Sequence, residues 1–129
     1  MAKSTILTRV LLDAGTAIAG VSDNGDGTYR VDLIDGSTRL ATGAEVLTAH
    51  KATRIDGINA EVRSRLVARY GSAEEQVSRA IGVYGVTEQS AMAAGIAATI
   101  DASNVAQNAI LNAADVAAVE AVTVAWPVI

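Results

Sequence analysis

Positive charge in this chain ends at Arg79. All ten lysines and arginines lie in residues 3–79, together with ten of the fourteen acidic residues. From Ala80 to Ile129 the only charged side chains are Glu88, Asp101, Asp115 and Glu120, scattered through alanine, valine and isoleucine. Such a stretch is too apolar to stand freely in water. It is also too small-grained for a thick core, because the 129 residues include no Phe, one Trp and three Tyr. An alanine buries little area, and burial contributes only about 25 cal/mol per Å². A chain of this length buries a modest share of its surface. The C-terminal half is therefore expected to gain stability from association between chains.

The length suits one domain, or a small β unit joined to a helical one. The spacing of residues predicts an α+β fold, with a small antiparallel β module over 1–43 and a helical interaction region over 44–129. Residues 4–14 fit two descriptions. Ile6, Leu7, Val10 and Leu11 make a helical face with Ser4 as cap and Gly15 as stop, and the same stretch also fits an edge strand. Thr16–Val21, Thr28–Ile34 and Thr38–Ala41 read as three short strands. Tyr29, Val31 and Leu33 alternate with Thr28, Arg30 and Asp32, and two Asp/Gly-rich turns, 23–27 and 35–37, separate the strands. So few strands need a partner surface.

From Ala44 the apolar spacing becomes helical, with Thr42 or Gly43 as cap. Ile55, Ile58, Val62 and Leu66 recur at three- and four-residue steps, and Gly71 follows the helix. Ser72 and Glu75 have capping-box spacing, starting a short helix expected to carry Val77, Ile81 and Tyr84 inward. Thr87 begins a long helix to Ala113 or Ala114. On it, Met92, Ile96, Ile100, Ile110, Ala114 and Ala117 trace an apolar stripe opposite Asp101, Asn104, Asn108, Asn112 and Asp115. Ser103 and Gln107 occupy the seam, where polar residues fix register and strand number. Asp115 caps a last short helix to Ala121, and Pro127 leaves Trp126–Ile129 extended. Trp126 is either an anchor in a partner's pocket or a plug within its own chain. The interface candidates are thus Ile55, Ile58, Val62, Leu66, Met92, Ile96, Ile100, Gln107, Ile110 and Trp126.

No motif in the sequence points to catalysis or to a cofactor. Asp23–Gly27 lacks the glutamate an EF-hand loop needs at its last position and sits between strands rather than helices. The glycine clusters lack phosphate-loop and dinucleotide spacing. His50, the only histidine, has no partner nearby in sequence and reads as a helix-surface residue. Glu74 and Glu75 are adjacent on a helix and point apart. The Asn104, Asn108, Asn112 ladder reads as a hydrated face. Absence of cysteine removes disulfides and thiolate metal sites. No metal, cofactor or catalytic residue is expected. A net charge of −4 argues against nucleic acid as partner, and the arginines at 63, 65 and 69 read as a solvated or interface-flanking cluster. Arg9 and Asp13 interrupt the early apolar run, so no secretory leader is expected. Ala91–Ile100 is about half the length a membrane span needs.

Two stretches carry a resemblance. Arg54-Ile55-Asp56-Gly57-Ile58-Asn59-Ala60-Glu61-Val62-Arg63-Ser64-Arg65-Leu66 resembles a segment of small proteins encoded among tailed-bacteriophage structural genes. Ile110–Val122, followed by Trp126-Pro127, is similar to the alanine-rich, Trp-Pro-terminated close of phage tail-associated proteins. The resemblance spans residues 54 to 127 and transfers no functional residue. It implies a non-enzymatic virion component (tail, tail fibre, neck or capsid-attached), made in the host cytoplasm. Its partners would be itself, with a trimer as the first expectation, and other virion proteins. The alternative it leaves is a tail-fibre assembly chaperone not retained in the particle.

Overall fold

The computed structural model describes residues 3–129, so the first two residues of the expected β module lie outside it. Its elements run helix α1 (Lys3–Asp13), strands β1 (Ile18–Asp23), β2 (Tyr29–Leu33) and β3 (Thr38–Leu40), then helices α2 (Gly43–Tyr70), α3 (Ala73–Ala80), α4 (Val86–Leu111) and α5 (Val116–Ala121). The chain is α+β: a three-stranded antiparallel sheet near the N-terminus, then helices. It divides into two compact units. One takes the chain up to Arg54 together with Ala114–Glu120, and the other takes Ile55–Ala113 with Ala121–Ile129. The division falls inside α2 rather than at residue 43, where the strand pattern gives way to helix.

In the first unit, residues 4–13 are helical, and Gly15 settles the choice. Its φ of +81° is left-handed backbone, and the Gly15 and Thr16 N–H groups donate to the Leu12 and Leu11 carbonyls. That pair of bonds closes a helix end. Ser4 is not the cap but lies within the first turn, its carbonyl accepting from the Thr8 hydroxyl. Ile6, Leu7 and Leu11 of α1 pack with Ile18, Tyr29 and Val31 of the sheet and Ala49 of α2. The partner surface that a three-stranded sheet requires is thus supplied by α1 and the start of α2. Alternation in β2 holds, with Tyr29 and Val31 buried and Arg30 exposed.

The turns satisfy themselves. Gly25 N–H donates to an Asp23 carboxylate oxygen and Thr28 N–H to Asp26. Bonds from Thr28 hold the Asp26 carboxyl below its ordinary value. Of the two caps considered for α2, Thr42 does the work. Its hydroxyl accepts from Glu45 N–H at 3.1 Å while Glu45 accepts from Thr42 N–H at 2.8 Å. Arg39 of β3 grips both oxygens of Glu45, at 2.7 and 2.9 Å. Charge-assisted bonds of this kind lower the Glu45 pKa to about 2.

Candidate assembly surface

The second unit is built on α2 beyond Arg54, α3, α4 and the tail after α5. Its buried α4 stripe is Met92, Gly95, Thr99, Ser103, Ala106 and Ile110. Met92 and Ile110 are about five turns apart, and a straight line between them passes through 95, 99, 103 and 106. Ile100 lies off that line and is exposed, which corrects the stripe drawn through it. Small residues occupy the line so that neighbouring groups can approach closely. Gln107 joins the helices through polar contacts, its amide donating to Ser103 Oγ at 2.8 Å and to Asn59 Oδ1 of α2 at 2.9 Å. The seam position marked by Ser103 and Gln107 therefore meets α2 of the same chain. The outer side chains Asp101, Asn104 and Asn108 are exposed.

Among the interface candidates, Ile58, Met92 and Ile110 are at most 5% exposed and are covered within the single chain. Ile55, Val62, Leu66, Ile96, Gln107 and Trp126 are half-buried, and Ile100 is open to solvent.

The largest departure from expectation is α3. Ser72 caps it as predicted, its hydroxyl accepting from Glu75 N–H. Yet Val77, Ile81 and Tyr84 point outward, at 59%, 73% and 57% exposure, with Val83 and Val86 also exposed. The cause lies at the end of α2. The last carbonyls of a helix lack intrahelical donors, and here Gln76 donates to the Gly71 carbonyl and Arg79 to the Tyr70 carbonyl. Arg79 also pairs with Glu88 of α4, and the Gln89 amide reaches the Ala80 carbonyl. Polar side chains thus hold α3 in place, and its apolar face turns to solvent. Residues 77–86 form an apolar ridge with acidic Glu74 at its start.

A concavity of about 810 Å³ in the same unit is lined by Arg65, Arg69 and Thr99 and by the tail residues Trp126, Pro127 and Ile129. The Arg65 guanidinium lies 4.5 Å above the Trp126 ring, and Arg69 lies 4.9 Å above the Tyr70 ring. Arg65 also bonds Glu61 one turn away at 2.9 Å. Trp126 therefore has a partner in its own chain while one side still faces the hollow. The arginine cluster was visible in the sequence. The tail that walls it was not, because no residue pattern says where a segment outside helix and strand lies.

In the first unit His50 is largely enclosed rather than on the surface, its side chain 13% exposed, with Nδ1 3.9 Å from a Glu120 oxygen. Glu120 is far away in sequence and gave no local signal. The described residues contain no cluster of three or more His, Cys, Asp or Glu able to hold a metal, and no helix long and apolar enough to cross a membrane. No family model, curated protein or solved structure matches this chain.

Proposed function

We propose that this protein works by protein–protein assembly, as a structural component of a tailed-bacteriophage particle. The observation that carries the assembly role is the ridge of Val77, Ile81, Val83, Tyr84 and Val86. Five large apolar side chains within ten residues are open to water while polar groups face the rest of the unit. Large exposed apolar side chains gathered so closely along the chain point to a contact site. The particle setting rests on the resemblance over residues 54 to 127. Copies of the chain are its first partners, a closed set of three being the first assembly to expect, with neighbouring virion proteins next. The work is done by burial of this surface, without chemistry.

Mass spectrometry of purified particles tests the setting. Stoichiometric copies are expected. Their absence from particles, combined with loss of fibres when the gene is deleted, would move the protein to the role of an assembly chaperone. Sedimentation tests the mechanism: a wild-type chain that stays monomeric at high micromolar concentration argues against self-assembly.

A further inference from the structure

We propose that the arginine-lined concavity of one copy receives the α3 ridge of a second copy, so that the chains join head to tail. The proposal rests on the assembly reading above and adds which two surfaces meet.

The two surfaces match in chemistry. α3 presents Glu74 and Val77 on one face, because residues three and four apart share a side of a helix, and Ile81, which closes the helix, follows four residues on. All three are exposed, the valine and isoleucine at 59% and 73%. The concavity offers the complement, with Arg65 and Arg69 one turn apart on α2 and an apolar wall of Trp126 and Pro127. Its volume of about 810 Å³ accommodates several aliphatic side chains. Aromatic faces hold both guanidiniums; Arg65 already gives Nε and Nη2 to Glu61, whereas Arg69 against its ring keeps an N–H edge for a carboxylate. Glu74 then meets the Arg69 guanidinium while Val77 and Ile81 lie against the indole and proline. Tryptophan and arginine are the residue types most often dominant at interfaces.

The ridge and the hollow are different surfaces, so the contact is heterologous. Contacts of that type close into rings or continue as filaments. A ring of three is the closed form that agrees with the assembly expected above. The ridge meeting its own equivalent would instead offer Glu74 a patch whose cation, Arg79, is already engaged by Glu88 and the Tyr84 ring.

Four full-length variants test this by sedimentation velocity, with circular dichroism confirming that each is folded. Arg69→Glu disables the hollow, and Val77→Asp/Ile81→Asp disables the ridge. The self-dissociation constant is expected to rise at least about tenfold for the first and about a hundredfold for the second. Mixing these two gives the decisive reading: a 1:1 dimer and nothing larger, because only one ridge and one hollow remain intact. Glu74→Lys alone weakens assembly, and Arg69→Glu/Glu74→Lys recovers most of it by exchanging the charges. If Arg69→Glu does not fold, Glu74→Lys reads the same pair from an exposed helix. Wild-type assembly that is unaffected by Arg69→Glu and Glu74→Lys overturns the proposal and leaves self-assembly standing through ridge-to-ridge or other contacts. A monomeric wild type removes both.

Discussion

The hydroxyl of Tyr70 occupies the space that a β-carbon on Gly95 would take. Tyr70 is the last residue of α2 and is only 2% exposed, so moving its ring disturbs the packing around it. The tail comes close as well, with Ile129 Cγ2 at 3.5 Å from the same point. Alanine normally stabilises a helix interior over glycine by about 1 kcal/mol. Here Gly95→Ala is expected to reverse that sign and cost about 1–3 kcal/mol through overpacking. Thermal denaturation followed by circular dichroism reads it. Adding Tyr70→Phe should return part of the loss, since the hydroxyl is the nearest atom. A Gly95→Ala protein melting at or above the wild-type temperature contradicts this packing.

A pH dependence follows from Glu45. Its folded pKa of about 2 lies below the ordinary 4.5, held down first by the Arg39 bonds. The folded state therefore binds fewer protons than the unfolded one as pH falls. The stabilisation is fully present above about pH 4.5 and is lost progressively as pH drops towards 2. Urea unfolding of wild type and Glu45→Gln should differ by on the order of 2 kcal/mol at pH 7. The gap should close towards pH 2. Glutamine keeps the capping geometry, so the difference isolates the charge. A gap that stays constant across this range would mean that the Arg39 pair contributes nothing through ionisation.

Sequence reasoning succeeded where one residue type dictates local geometry, and failed where the decision depended on a distant backbone group. The Asp/Gly turns, the strand alternation, the stop at Gly71 and the caps at Ser72 and Asp115 all appeared as predicted. Residues 4–14 stayed open because their β-branched and aliphatic side chains serve a helix and a strand alike. The left-handed Gly15 decides between them through backbone bonds that composition does not show. For α3, the apolar spacing is legible in the sequence, but the side it faces is not: Val77, Ile81 and Tyr84 are exposed. Nothing local records that the carbonyls ending α2 require Gln76 and Arg79 on the inner side. On α4, the larger isoleucines were favoured over Gly95 and Thr99, yet close approach selected the smaller pair.

The short helix α5 depends on Asp115. Its carboxylate accepts from Ala118 N–H at 2.7 Å. The helix has six residues and one fully buried side chain, Val119, so little else holds it. Asp115→Ala is expected to cost about 1 kcal/mol. Amide exchange at Ala118 should accelerate at least about fivefold, whereas Asp115→Asn keeps most of the protection. Unchanged exchange in the alanine variant would show that α5 is held by packing of Val119 alone.

Arg65 and Trp126 provide an optical test of where the tail lies. Trp126 is the single tryptophan, so its emission reports one site. With a guanidinium 4.5 Å above the ring and Pro127 beside it, the indole is half-buried against α2. Arg65→Ala removes the cation and the aliphatic stem that covers the ring. It is expected to weaken docking of the tail by about 0.5–1 kcal/mol and to move the emission to longer wavelength, with faster quenching by iodide. Arg65→Lys should fall between, since a lysine keeps charge and stem but not the flat stacking of a guanidinium. Identical spectra for wild type and Arg65→Ala would place the indole away from Arg65 and remove one wall of the hollow.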